Sequence, residues 1–524
     1  MHPGVVSGGL AQLVRRYAAI AFALGLGGCQ VAAQLPPATG GRSFPTSSRS
    51  VMVQLFEWRW ADIAQECEAW LGPLGYGAVQ ISPPHEHRVI DEGPNAFPWY
   101  QRYERVSYKL SSRSGDRSEL ANMVNRCHRA GVKVYADVVI NHIASAGAYQ
   151  GSEGSKFDTS QSSAVPYDPG DFNGTCTIEL SDDREEPSCQ LLNKQDLETD
   201  SEKVQTEIAA AMNELLAIGV AGFHINAAEQ ISPDHLAKIL RQLKPLNPKF
   251  HGHGARPFIY QEVARKGAEP IQSSAYFTHG AVTEFGYGRH LGEQVRYGQL
   301  KNLVLFGEAW GLMPSHKAVV FTDNHVTQRS RDRNIVTFFA PPDNGARYRL
   351  ANIFMLAWPY GTPRVMSSYD WTREVGTAAG PPADDQGNTL PVSCGDGWVC
   401  EHRWPQIANM VEFRNVTQGA STVEHWWDNG NNQIAFARGQ RGFVAINNED
   451  TVLEATLMTG LSAGVYCNIL AEPMLDMVDS EVTMEPNSLS PGCDTEIIEV
   501  DSLGNAQITV QPYQALAIHI GAQL

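Results

Sequence analysis

Four short apolar runs end in groups that can bind an oxygen-rich ligand or handle protons. They close on Asp137-Val-Val-Ile-Asn141-His142, on Gly222-Phe-His224-Ile-Asn226, on Tyr260-Gln261-Glu262 and on Asp323-Asn324-His325-Val326. Carboxylates, amides and imidazoles donate, accept and relay protons, but they act together only where a fold gathers the run ends on one rim. In a β/α barrel that rim is where strands end and the following loops begin. Two shorter motifs, His85-Glu-His87 and His251-Gly-His253, lack the i,i+4 spacing of a helical zinc site and read as loop histidines.

The elements that must position these groups follow a β-α rhythm. Residues 51–56 and 77–82 read as strands around a helix that carries Ala61, Ala64, Cys67 and Leu71 at helical spacing. A helix over 118–130, with Leu120, Met123, Val124 and Cys127 inside, leads into a strand over 132–140. The clearest helix spans 201–218, with Val204, Ile208, Met212, Leu215 and Leu216 on one face, and runs into a strand over 220–225. Further strands are expected at 258–260, 282–285, 303–306, 318–321 and 364–367. This alternation implies a parallel sheet, most simply an eight-stranded (β/α)8 barrel, with an open doubly wound sheet as the alternative. Residues 143–196 are polar and Gly/Ser/Asp-rich, and read as a domain inserted after the third strand. From about residue 417 helices vanish and short strands recur at hairpin spacing, the mark of an all-β domain. The expected organisation is therefore barrel at 49–142 and 197–416, insertion at 143–196, and a β domain at 417–524.

With 524 residues, 43% hydrophobic and 19% charged, the chain has the composition of a globular protein with a large core. Forty Lys and Arg against 57 Asp and Glu leave a net charge of −17, which argues against nucleic acid or an anionic membrane as the main partner and suits a neutral one. Arg15 and Arg16 precede an apolar stretch from Tyr17 to Leu26, too short to span a bilayer but right for a signal-peptide core. Leu26-Gly27-Gly28-Cys29 resembles a bacterial lipobox. Residues 1–28 are thus expected to be a signal peptide and 29–48 a tether, with membrane contact only through lipid on Cys29, in the periplasm or at the cell surface. Cleavage after Val31-Ala32-Ala33 and simple secretion is the alternative. The nine cysteines are an odd number, so at least one stands outside any intramolecular disulfide.

Nearly all of residues 50–524 resembles the α-amylase family, glycoside hydrolase family 13, in its animal-type, chloride-dependent branch. The resemblance is carried by Val53-Gln-Leu-Phe-Glu-Trp58, Val79-Gln-Ile-Ser-Pro-Pro84, Val106-Ser-Tyr-Lys-Leu110, Asp137–His142, Gly219-Val-Ala-Gly-Phe223, Phe258–Val263, Asp323–His325, Arg364-Val-Met-Ser-Ser-Tyr369 and Trp398-Val-Cys-Glu-His-Arg-Trp404. It implies a barrel, a domain inserted after strand three and a C-terminal β domain, acting as a monomer on starch-like α-1,4-glucans or maltooligosaccharides.

The same resemblance marks where this sequence departs. Retaining glycosidases need a carboxylate nucleophile about 5 Å from a carboxylic acid that protonates the leaving oxygen. Glu262 stands at the general acid/base position, but the nucleophile position is Asn226 and the third family carboxylate is replaced by Val326. The arginine two residues before the nucleophile is His224, and a Lys-His pair just after it is Glu229-Gln230. An amide is a poor nucleophile, and valine cannot stabilise positive charge. Losing one catalytic carboxylate costs on the order of 10⁴-fold, so hydrolysis is expected to be lost or severely impaired. Rescue by Glu229 or Asp323 is the competing idea, with Asp323 expected to be structural.

The resemblance also places a sugar platform at Trp99, Tyr100 and Tyr103 and sugar hydrogen bonds at His142 and His325. Ser330-Arg-Asp-Arg333 replaces a Gly-rich substrate-capping loop. Structural calcium is expected on Asn141 and Asp196, completed by backbone carbonyls near Pro187 and at Gln230. A chloride site keeps Asn324 and Arg364 but has His224 for its first arginine, so it is expected to be weak or empty unless His224 is protonated. Disulfides are implied at Cys176–Cys189, Cys394–Cys400 and Cys467–Cys493, leaving Cys67 and Cys127 as buried thiols. The reading is a glucan-binding pseudoenzyme, with a weakly active retaining hydrolase and a non-catalytic scaffold as alternatives.

Overall fold

The computed structural model describes residues 49–524 except 94–95, 159–164, 175–176, 179–189, 192, 265–271, 331, 340–344, 372–376 and 472–495. The expectations for residues 1–48, including Cys29, and for Pro187, Cys176, Cys189 and Cys493 lie outside the described residues.

Eight parallel strands close a barrel: β1 (Met52–Leu55), β2 (Ala78–Ile81), β3 (Lys133–Val138), β4 (Gly222–Ile225), β5 (Phe258–Gln261), β6 (Ala281–Thr283), β7 (Ala318–Val320) and β8 (Thr362–Ser367), with β8 back against β1. Most are buried along their whole length, as strands covered by helices on one side and by barrel-interior side chains on the other must be. The register sets neighbouring strand ends at one height: Ile225 pairs with Gln261, and Ile225 also pairs with Val138.

Local signals account for the helices. Helix Arg117–Arg129 starts at Asp116, whose side chain accepts from Glu119 N–H at 2.8 Å while Glu119 accepts from Asp116 N–H at 3.0 Å. Its buried residues are Leu120, Met123, Val124 and Cys127. Helix Glu202–Ile218 buries Val204, Ile208, Met212, Leu215 and Leu216 and ends at Gly219, in the left-handed region at φ 117°. A Cβ there would sit 2.6 Å from the Phe250 ring, so both backbone and space require glycine.

Two expectations are corrected. The strand expected at 303–306 is instead part of a 3₁₀ helix, Leu300–Leu305. It buries Leu300 and Leu303 while Leu305 is exposed, a spacing of three rather than two. Asn432, from the C-terminal domain, accepts from Leu300 N–H at 2.9 Å and secures it. Cys67 and Cys127 are not free thiols: they form a disulfide with Cα atoms 4.9 Å apart. Each lies on an apolar helix face, as expected, but the two faces pack on each other. Cys394–Cys400 is bridged, and Cys467 is disulfide-bonded.

Between β3 and β4 the chain forms small ribbons, among them His142–Ser145 with Lys194–Asp196 and Ala148–Gln150 with Lys156–Asp158. Beyond helix Pro405–Val416 the structure is all β. A four-stranded antiparallel sheet (Glu424–Asp428, Gln433–Ala437, Gly442–Asn447, Ala515–His519) is joined by the pairs Leu453–Met458 with Asn505–Val510 and Gly464–Cys467 with Ile497–Val500. Among the described residues no helix is long and apolar enough to cross a membrane.

Candidate active site

The ends of β4 and β5 bring Asn226 and Glu262 together. Both residues continue the parallel ladder, Asn226 N–H donating to Val138 O at 3.1 Å and Glu262 N–H to Ile225 O at 2.9 Å. The chain then turns through Ala227, a non-glycine residue in the left-handed region at φ 47°. That turn aims the Ala227 N–H at Glu262 Oε2, 3.0 Å away, and the Asn226 Nδ2 donates to the same oxygen at 2.9 Å. Asn226 is therefore a hydrogen-bond donor to Glu262.

The other carboxylates at the strand ends are engaged. Asp137 accepts from the Tyr103 hydroxyl at 2.9 Å and from His224 Nδ1 at 2.8 Å, one bond to each oxygen. Asp323 accepts from Thr322 and Tyr348 at 3.0 and 3.1 Å and from Gln328 at 3.4 Å, and burial pushes its pKa up to about 7. Its bonds all run to neighbouring protein groups. Glu229 lies on the short turn Ala228–Gln230. Val326 follows β7 with its side chain 38% exposed, an apolar tip on an otherwise polar rim.

The aromatic and imidazole residues form one packed group. Trp99 and Tyr100 lie on the 3₁₀ turn Trp99–Tyr103 with rings 6.1 Å apart, and Tyr100 is exposed at the surface. Tyr103 is buried and lies parallel to the His325 ring at 5.3 Å, and Trp99 meets that imidazole edge-on at 5.4 Å. Tyr103 is thus a floor beneath His325 rather than an open platform. Gln54 Nε2 lies 3.1 Å from His325 Nδ1; because an amide nitrogen only donates, the ring proton belongs on Nε2, which has no partner. His142 has the reverse polarity: Nε2 donates to Tyr103 O at 3.2 Å, and Nδ1 is left without a partner. Burial, reinforced by nearby cations, holds both imidazoles well below the usual histidine range. The site therefore holds two neutral rings, one with a spare donor and one with a spare acceptor.

Sequence reasoning missed the residues that support this group. Gln54, inside an otherwise apolar strand, sets the His325 tautomer, and a lone amide in a buried run was the available signal. Arg329 donates to His325 O at 2.7 Å and lies 5.1–5.6 Å from the rings of Phe56, Trp99, Tyr369 and Trp371. No local pattern announced that cage, because its rings come from distant segments.

Two candidate ion sites are expected, for calcium and for chloride. Asp196 is fully buried and receives Asn141 Nδ2 and Asn173 Nδ2, each at 2.7 Å, yet burial still pushes its pKa up to about 7. Asn141 Oδ1 beside it is buried with no partner, and so is Gln230 Oε1. A desolvated carboxylate next to an orphaned amide oxygen is a donor set that fits a hard cation such as calcium. Among the described residues no group of three or more His, Cys, Asp or Glu is placed to hold a metal, so amide and carbonyl oxygens would have to complete it. At the three residues expected to hold chloride, each side chain makes a bond within the protein. His224 is committed to Asp137, Arg364 donates to Gln80 at 2.6 Å, and Asn324 Oδ1 accepts from Val326 and Thr327 N–H to cap the next turn.

Comparison with known proteins places this geometry. Residues 69–328 match the family described as alpha amylase, catalytic domain, and residues 426–521 match alpha amylase, C-terminal all-beta domain. An α-amylase of Oryzias latipes is 46% identical over 453 residues, covering 81% of this chain and 87% of that protein, and a pancreatic α-amylase of Rattus norvegicus is 45% identical with the same coverage. A crystal structure of α-amylase I from Eisenia fetida, a glutamate-to-glutamine mutant with maltohexaose, superposes with a TM-score of 0.82 at 39% identity, over 90% of this chain and 97% of that one. These relatives correct the localisation read from the N-terminus: they are animal amylases, not bacterial lipoproteins, and the lipobox reading of Leu26–Cys29 is withdrawn. With the barrel, the C-terminal β domain and identity near one half across most of its length, the chain belongs to the α-amylase family.

Proposed function

We propose that this protein binds starch-like α-1,4-glucans at the barrel mouth without cleaving them by double displacement. The observation that carries this reading is the 2.9 Å hydrogen bond from Asn226 Nδ2 to Glu262 Oε2. Retaining hydrolysis needs an anionic oxygen facing the anomeric carbon, opposite the acid. An amide whose N–H₂ already donates to that acid supplies neither the charge nor the nucleophile. Val326 removes a second source of negative charge from the place where an oxocarbenium-like ring would need it.

What remains suits binding. Trp99 and Tyr100 offer aromatic faces at the rim, and His325 Nε2 and His142 Nδ1 offer one donor and one acceptor to sugar hydroxyls. Maltohexaose in the Eisenia fetida structure supports an α-glucan as the ligand. We assign structural calcium to Asn141, Asp196 and the Gln230 carbonyl. It would neutralise the Asp196 charge where the inserted segment joins the barrel.

The test is an assay with a chromogenic maltooligosaccharide beside a starch-retention experiment. Retention without turnover is expected, with retention lost in Trp99→Ala/Tyr100→Ala. Turnover that Glu262→Gln abolishes would overturn the reading in favour of an active hydrolase. Absence of binding at millimolar oligosaccharide would leave a scaffold.

A further inference from the structure

Where the barrel mouth meets the inserted segment, a guanidinium is buried without a counter-charge among the described residues. Arg105 is 2% exposed. Its Nη2 donates to His142 O at 3.3 Å, and its guanidinium carbon lies 4.1 Å from the centre of the Tyr108 ring. Nε and Nη1 are shut off from solvent and have no hydrogen-bond partner. Among the described residues no carboxylate lies within 4.0 Å of the group. The adjacent Glu104 is taken by Arg88 Nη1 at 3.1 Å and by Ser145 N–H at 3.3 Å.

A second orphan faces the same ring. His85 is 5% exposed and meets Tyr108 edge-on at 5.6 Å between centroids. Its Nε2 is buried with no partner. Burial first, then the Arg105 charge, lowers its pKa to about 3, so the ring is neutral and can offer one N–H. Tyr108 is itself held by a hydrogen bond between its hydroxyl and that of Tyr167.

An isolated buried cation with unmade hydrogen bonds is costly, and native interiors rarely leave one so. We propose that Arg105 Nε and Nη1, together with His85 Nε2, bind a small monovalent anion of the halide or nitrate kind against the Tyr108 ring. One positive charge and three N–H donors match a single negative charge; a divalent oxyanion would leave a charge uncompensated. The site shares no residue with His224, Asn324 and Arg364, and it ties the loop carrying His85 and Arg105 to the strand that begins at His142.

Two measurements on the full-length protein test it. In crystals soaked in sodium bromide, an anomalous peak is expected beside Arg105 and His85. In thermal unfolding at constant ionic strength, replacing gluconate with chloride should raise Tm by roughly 1–3 °C at about tenfold excess over Kd. That rise should persist in Arg364→Gln and vanish in Arg105→Gln. The proposal is overturned if bromide is absent from Arg105 in the wild type, if it appears only near Arg364, or if chloride stabilises Arg105→Gln as much as the wild type. Should Arg105→Gln fail to fold, the wild-type bromide map decides alone.

Discussion

Asn226 Nδ2 and Glu262 Oε2 are 2.9 Å apart, and the Ala227 N–H reaches the same oxygen at 3.0 Å. The distance is that of a hydrogen bond, with an amide donor where the resemblance to the α-amylase family implies a nucleophile. Much of what this protein should and should not do follows from that contact.

Restoring the two carboxylates should restore chemistry if the frame is intact. Asn226→Asp with Val326→Asp is expected to give measurable release of a chromogenic leaving group from a maltooligosaccharide, while either substitution alone stays near background. The two act as one unit, so their effects should be far from additive. A double variant that still binds glucan yet shows no turnover would mean that the strand ends have moved beyond near-attack geometry.

The cleft should no longer favour positive charge. A retaining site strengthens its grip as the ring becomes cationic, and carboxylates supply that preference. With Asn226 and Val326 in place, a protonated amino-sugar mimic should bind no more than about tenfold tighter than a neutral maltooligosaccharide of equal length, against the 10²-fold or more typical of transition-state analogues. Titration calorimetry with both ligands measures the ratio, and a ratio above 10² would contradict the reading.

Calcium should reverse one contribution to the pH dependence of stability. The Asp196 pKa is pushed up to about 7 in the folded chain by burial, from 3.8. The folded state therefore holds this proton between about pH 4 and 7 while the unfolded state has lost it. Stability without calcium is expected to fall as pH rises through that window, by at most roughly 1.4 kcal/mol per pH unit from this group. Asp323 and Glu401 are shifted by burial in the same direction and act with the same sign. Calcium should cancel only the Asp196 part, so the gain in Tm on adding it should grow from pH 4 to 7 and be absent in Asp196→Asn. A calcium effect that is flat with pH would place the ion elsewhere.

The Cys67–Cys127 disulfide should matter for stability and not for binding. It closes a loop with a sequence separation of 60, for which chain-entropy arguments give about 4 kcal/mol. Cys67→Ala/Cys127→Ala should unfold at lower denaturant concentration with glucan retention unchanged below the transition. Recovery of two free thiols at these positions by peptide mapping of the unreduced protein would refute the pairing.

The sequence by itself determined the architecture. Apolar runs of strand length and amphipathic helices such as Glu202–Ile218 are local patterns, and they were enough to place most of the strand ends; the exchanges at Asn226 and Val326 were legible only through the resemblance to the α-amylase family. Periodicity says which face of an element is buried, not what it is buried against. Hence the faces carrying Cys67 and Cys127 were legible and their bridge was not. The segment 303–306 reads as a strand, but it falls mostly in the 3₁₀ helix Leu300–Leu305, whose first N–H is held by Asn432 from the C-terminal domain. Only the tertiary structure decided that Asn226 donates to Glu262, that Arg329 sits among four rings from three separate segments, and that Arg105 and His85 share one tyrosine. Each of these depends on side chains far apart in the chain meeting at a few ångströms, and distance in space is what a linear pattern does not encode.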